Sequence, residues 1–304
     1  AAIKPAGSIS ISSNWNGIDY NMGIDAERNT SGYYGTVQEF DNTDTLVSQG
    51  HESSRETGLQ LNGVTLNASS LLGETFAHLN AKFGGINSYY RRPFSETDQS
   101  TGVIRDTMIS TDRFTRQFEL GMDAERNLSP ALVGKLIFLL SNKNVDDNSS
   151  RINSNSVSGQ TLSRFADTGT NSRERIARME LDWAGLANHQ IQLNLEGAHN
   201  MLDRTLLQTD DTGGGPLATA VPGANSRVKE LRGDFLLQDT WSIGNYEVDY
   251  GLGVETSSVS QSGDARQKRN FLFLKPQGGL GYSPSENSHT RLRLMREVSQ
   301  LNLT

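Results

Sequence analysis

The sequence predicts an all-β fold of about twelve long antiparallel strands in up-and-down order, the arrangement of a transmembrane β-barrel and part of a larger one. Three observations predict it. Apolar residues recur with a period of two, short and long connections alternate along the chain, and aromatic residues collect beside the short connections.

The period is clearest from Tyr246 to Glu255. Tyr246, Val248, Tyr250, Leu252 and Val254 alternate there with Glu247, Asp249, Gly251, Gly253 and Glu255. Successive strand side chains point to opposite faces, so one face is apolar and the other acidic or bare. In chain order the pattern recurs five times. Ile9, Ile11 and Trp15 oppose Ser8, Ser10 and Ser12. Tyr20, Met22, Ile24 and Ala26 oppose Asn21, Gly23 and Asp25. Ala77, Leu79, Ala81 and Phe83 oppose His78, Asn80 and Lys82. Met179, Leu181 and Trp183 oppose Glu180 and Asp182. Ile191, Leu193 and Leu195 oppose Gln190, Gln192, Asn194 and Glu196. A soluble sandwich alternates in the same way, but a second sheet must then cover each apolar face. A membrane barrel is covered by lipid and keeps its polar face inward.

Connection lengths favour the barrel. Short connections are expected near Asn16–Ile18, Ser69–Gly73, Arg126–Ala131, Ala184–Asn188, Ile243–Asn245 and Ser283–Ser288. Longer polar stretches are centred near Phe40–Thr45, Ser95–Thr101, Val145–Thr170, Thr209–Ala224 and Ser260–Lys268. Outer-membrane barrels alternate short periplasmic turns with longer external loops, and a Greek-key sandwich has no reason to. Many strands exceed the roughly 9–11 residues that cross a bilayer, and so would project as long hairpins.

Trp15, Trp183, Trp241, Tyr246 and Tyr282 sit beside short turns, as expected of rings at a lipid–water boundary. Tyr33, Tyr34, Tyr89, Tyr90 and Phe94 lie toward the long-loop ends and suggest a second girdle. Two breaks disturb the alternation. Asp239 shares the parity of Phe235, Leu237 and Trp241. Leu292 and Leu294 share that of Arg296, whereas Leu301 and Leu303 have the other. A bulge in the register, or strand limits off by a few residues, is the expected cause.

Composition narrows the function classes. Of 304 residues 35% are hydrophobic, and mean hydropathy is -0.52. No cysteine is present, which removes disulfides, thiol catalysis and thiolate metal sites. A net charge of -7 argues against a nucleic-acid partner. The most apolar stretch, Leu132 to Leu140, is too short for a transmembrane helix. No leader is visible at Ala1, so the chain reads as a mature form or a fragment.

Four segments carry a family resemblance: FLFLKP from Phe271 to Pro276, GGLGYSP from Gly278 to Pro284, TRLRLMREVSQLNL from Thr290 to Leu303, and GIDAERNTSGYYG from Gly23 to Gly35. They resemble barrel segments of TonB-dependent receptors, and the hairpin rhythm extends the resemblance over most of the chain. It implies a 22-stranded barrel with an N-terminal plug, an external ligand site, and import powered through the TonB complex. Family ligands are small-molecule nutrients such as iron-siderophores, cobalamin and carbohydrates. No plug or TonB box is seen here, and the chain ends at Thr304 within an expected strand. Residues 1–304 are therefore expected to be one partial barrel domain, covering the first half of the barrel and unable to insert alone.

The residues themselves mark no catalytic set, cofactor site or metal site. His51, His78, His189, His199 and His289 have no ligand-like spacing, and His78 is expected on a polar strand face. The Gly213–Gly215 run lacks the residues of a phosphate loop. Asp41 with Asp44, Asp146 with Asp147, and Asp210 with Asp211 read as solvated loop acids rather than a calcium site. Arg232-Gly233-Asp234 falls mid-strand, where no adhesion receptor reaches it. Tyr89, Tyr90, Arg91 and Arg92 are the ligand-binding candidates, because rings and guanidinium groups together grip an anionic or sugar-like molecule. The alternative for these four is a girdle meeting anionic lipid headgroups.

The expected function is energised uptake of a bulky nutrient at the bacterial outer membrane, in contact with its lipid, and not an enzymatic activity. One alternative is a passive, porin-like channel in which strand one pairs with strand twelve. Another is a secreted or surface β-rich adhesion module, which needs a buried apolar core between sheets.

Overall fold

The computed structural model describes residues 5–285 and 288–298. Every element in them is a strand: β1 (Ala6–Trp15), β2 (Ile18–Phe40), β3 (Leu46–Leu72), β4 (Thr75–Asp98), β5 (Ile104–Ser129), β6 (Leu132–Asn155), β7 (Gly159–Trp183), β8 (His189–Asp211), β9 (Leu217–Thr219), β10 (Ser226–Ile243), β11 (Tyr246–Gly263), β12 (Gln267–Ser285) and β13 (Ser288–Met295). One antiparallel sheet runs from β1 to β8 and on through β10 to β13, with β9 pairing β8 off this path. Twelve strands on the ladder match the expected number. β1 and β13 are its two edges, and the sheet is not closed among the described residues.

The turns follow from residues that tolerate a left-handed backbone. Asn16 and Gly17 have φ of 51° and 80°, which suits the tight hairpin closing β1 onto β2. The short connections fall at 16–17, 73–74, 130–131, 184–188 and 244–245. Two expected turns began too early, because β3 continues to Leu72 and β5 to Ser129. Of the Ser283–Ser288 connection, residues 286 and 287 lie outside the described residues, as do Ala1, Leu301, Leu303 and Thr304.

The expected long loops are corrected more strongly. Val145–Thr170 is strand on both arms, with its turn confined to 156–158. Ladder hydrogen bonds need only backbone groups, so polar side chains extend a hairpin wherever both faces can be wet. The two ends of the sheet therefore differ in how far the ladder runs past the apolar residues.

Register aligns the apolar positions across the sheet. Leu237 faces Leu193 and Leu252, Phe235 faces Leu195 and Val254, and Phe118 faces Phe83. These side chains have no protein cover: Leu252 is 47% exposed and Leu237 46%, and Ala198 is the only buried hydrophobic residue among those described. The polar face is the buried one, with Glu255 at 3% and Glu230 at 5%. A water-soluble domain has the opposite distribution. Left in water, each of these half-exposed side chains would forgo roughly half of the about 1.5–3 kcal/mol that full burial contributes. The second sheet that an adhesion module needs is absent among the described residues.

Asn62 keeps this face continuous through β3. Asp25 pairs Gly63 and Ala26 pairs Leu61, so Asn62 is an extra residue, and the β3–β4 register shifts at the same place. Parity therefore changes at Asn62, and Leu59 and Leu61 join the face of Val64 and Leu66. Opposite the bulge, a Cβ on Gly84 would lie 3.1 Å from the Leu61 carbonyl oxygen and 3.3 Å from that of Asn62.

No bulge accompanies Asp239; both its pairings are regular. This carboxylate lies on the apolar face, correcting the expected slip. Arg296 falls beyond the end of β13, so strand parity does not apply to it.

Candidate functional site

The polar face of β7, β8, β10, β11 and β12 holds a continuous charged network. Arg178 Nε donates to Glu196 Oε2 at 2.7 Å, and Arg232 reaches the other Glu196 oxygen at 2.5 Å. Arg232 also lies 2.9 Å from Asp234, and Lys275 Nζ donates to Asp234 at 2.8 Å and to Glu255 at 2.7 Å. One chain of ion pairs thus ties five strands together. It lines a recess of about 530 Å³ with Asn194 and Gln277. Nearer the short turns, Gln277 donates to Gln238 at 2.7 Å and Gln238 to Gln192 at 2.6 Å. Farther out, Ser257 and Asn200 donate to Glu230 at 2.9 and 3.1 Å. Charges compensated in this way make a wettable wall without an exposed excess of either sign.

The four ligand-binding candidates do not converge. Alternation along β4 sends Tyr89 and Arg91 to the apolar side and Tyr90 and Arg92 to the polar side. Arg91 lies over the Tyr89 ring at 4.9 Å, whereas Arg92 pairs with Glu52 at 2.8 Å. Tyr33 also hydrogen-bonds Glu52. A run of four adjacent residues suggests a cluster only if the strand period is ignored.

Trp15, Trp183, Trp241, Tyr246 and Tyr282 all lie at the short-turn end on the apolar face, where Tyr246 and Tyr282 stack at 4.7 Å. The second aromatic group divides between the two faces. Tyr34 and Tyr89 share the apolar parity, and Tyr33, Tyr90 and Phe94 take the other.

Asp239 is the unexpected member of the aromatic row. It lies 2.7 Å from His189 Nδ1 and accepts a 2.5 Å hydrogen bond from the Tyr250 hydroxyl, and His189 stacks on Trp241 at 5.4 Å. Sequence parity flagged Asp239, but its partners come from neighbouring strands and needed the register. On the polar face His78 pairs with Asp123 at 3.1 Å. His289 Nδ1 lies 2.8 Å from Ser283 Oγ, a hydroxyl–imidazole pair that chain spacing did not suggest. Arg232 and Asp234 of the Arg-Gly-Asp run lie within the charged network.

The loop acids are engaged by their own chain. Asp147 pairs with Arg113 at 2.7 Å and Asp210 with Arg164 at 2.8 Å, and Asp211 accepts from the Gly213 and Gly215 amides. Asp98 accepts from the Ser100 hydroxyl at 2.7 Å and from the Ser100 and Thr101 amides at 3.0 Å. These donors, led by the Ser100 hydroxyl, hold the Asp98 carboxyl well below the usual aspartate range. Its contribution to the turn is therefore present above the unfolded pKa, about 3.9. It is lost only as pH falls through the lower folded value. Amide exchange at Ser100 and Thr101 should stay slow at a pH of about 4, and Asp98→Asn should speed it at neutral pH. Loss of protection already at that pH would contradict this account.

No protein-family model and no curated protein matches the sequence. Solved outer-membrane proteins have a similar strand arrangement. BauA, the ferric preacinetobactin receptor from Acinetobacter baumannii, is 10% identical over 93% of this chain and 46% of its own, with a TM-score of 0.47. The ferric citrate transporter FecA is 6% identical over 93% of this chain and 42% of its own, with a TM-score of 0.40. The outer membrane protease OmpT from Escherichia coli is 10% identical over 85% of this chain and 96% of its own, with a TM-score of 0.25. The chain spans less than half the length of BauA and of FecA.

Proposed function

We propose that residues 1–304 form part of the wall of a bacterial outer-membrane barrel that takes up a bulky small-molecule nutrient. One observation carries this reading: a sheet with exposed, aligned apolar side chains on one face and an ion-paired polar face on the other. On β11 the apolar run from Tyr246 to Val254 is nine residues long, within the roughly 9–11 that cross a bilayer. The row from Trp15 to Tyr282 would sit at the periplasmic interface, and the polar face would line the lumen. Both edges would pair with further strands, because hydrocarbon does not satisfy a bare strand edge. Energy from the TonB complex and an iron-siderophore, cobalamin or carbohydrate ligand are the finer part of the proposal, supported by the resemblance at Gly23–Gly35 and Phe271–Leu303.

Fluorescence of Trp15, Trp183 and Trp241, within the complete barrel that pairs both edges, in bilayers of brominated lipid tests the wall. Bromines near the headgroup should quench more strongly than bromines at mid-chain. A protein that stays soluble without detergent, with unquenched tryptophans, would overturn it.

A further inference from the structure

On the apolar face of β7, β8 and β10 the hydrophobic runs end in basic residues. Arg175 and Arg173 lie 8 and 10 residues from Trp183, His199 lies 10 from His189, and Lys229 lies 12 from Trp241. Alternation places them on the side of Met179, Leu195 and Phe235. Register sets Arg175 directly opposite His199, and Arg173 and Lys229 on either side of Met201. With strands about 4.8 Å apart, the patch is roughly 10 Å across.

These charges are uncompensated. Arg173, Arg175 and Lys229 are exposed and have no carboxylate partner among the described residues. Arg173 donates only to the neutral Asn171 amide oxygen, at 2.8 Å. Nearby acids on this face are already taken, Asp203 by Arg227 and Asp146 by Arg116. On the polar face, by contrast, Arg178, Arg232 and Lys275 are all paired with carboxylates.

We infer that this patch binds the phosphate of a lipid headgroup in the leaflet nearer the long hairpins. The inference rests on the membrane reading above. Its height supports it, because the basic residues begin where an apolar crossing of roughly 9–11 residues ends. Its chemistry supports it too: guanidinium forks match phosphate oxygens, and a lysine adds a point charge. Met201 and Leu231 lie within the same rows and offer apolar contact to the acyl chains. That contact favours a lipid over free phosphate.

The test places the complete barrel, residues 1–304 together with the strands that pair both edges, in bilayers of phosphatidylcholine containing phosphatidic acid, first confirms co-flotation with lipid, and then counts retained lipids by native mass spectrometry. Each basic side chain near an anionic surface contributes about a fivefold preference. Phosphatidic acid should therefore be retained at least about tenfold over phosphatidylcholine. The combined Arg173→Gln, Arg175→Gln and Lys229→Gln variant should embed equally well and lose that preference. Equal retention by variant and parent overturns the patch. Equally tight binding of inorganic phosphate in micelles overturns the lipid assignment. Failure to co-float overturns the membrane reading instead, so the two failures are distinguishable.

Discussion

Replacing Leu237 with arginine should destabilise the bilayer-embedded protein by about 2–4 kcal/mol, the cost of a basic residue on the lipid side near mid-membrane. The same replacement at Gln238, one residue later, should cost about 1 kcal/mol, the order of a lost amide hydrogen bond on a face that water reaches. The two positions differ in face. Leu237 sits between Leu193 and Leu252, and Gln238 between Gln192 and Gln277 in an amide ladder. In water the order would reverse or vanish, because Leu237 is already 46% exposed and arginine there would meet solvent. Urea unfolding of both variants in the same bilayers checks the pair. Equal, small effects would mean that the apolar face does not meet hydrocarbon.

That contrast also shows what could be read along the chain. A period of two needs only neighbouring residues, so the strands at Tyr246–Val254 and Ile191–Leu195 were visible, as were their apolar faces. The row of Trp15, Trp183 and Trp241 followed from its place beside short turns. Relations between strands were not visible. Asn62 changes parity through a bulge that no local pattern marks. Asp239 breaks the pattern in its own strand, but the His189 and Tyr250 partners that hold it belong to two others. Hairpin ends were misjudged because turn chemistry and polar strand chemistry use the same residues. Val145–Thr170 is rich in Asn, Ser and Asp, yet its backbone stays on the ladder to within three residues of the turn's centre. Tyr89 to Arg92 divide between the two faces for a related reason: adjacency in sequence is separation across a sheet.

The charged network on the polar face was invisible for the same reason, and it carries the second large effect. Lys275→Met should cost about 3 kcal/mol, near the low end of the range for removing one partner of a buried ion pair. The low end applies because the Lys275 side chain is 27% exposed. Its ammonium is shared by Asp234 and Glu255, and the Glu255 side chain is 4% exposed, so water compensates little of the lost charge. Neutralising Glu255 as well should recover most of the loss. The combined Lys275→Met and Glu255→Gln variant should unfold within about 1 kcal/mol of the parent, because it removes one buried charge of each sign and leaves Asp234 with Arg232. Denaturant unfolding of the single and combined variants isolates the coupling. If Lys275→Met costs as much with Glu255 neutralised as without, the loss comes from its packing stem and not from its charge. The polar wall would then owe its order to the ladder hydrogen bonds and the Gln192–Gln238–Gln277 row. If the coupling is present, β10, β11 and β12 are held in register by a charge arrangement on the face that a passing solute would meet, and altering that face for selectivity would also alter the stability of the wall.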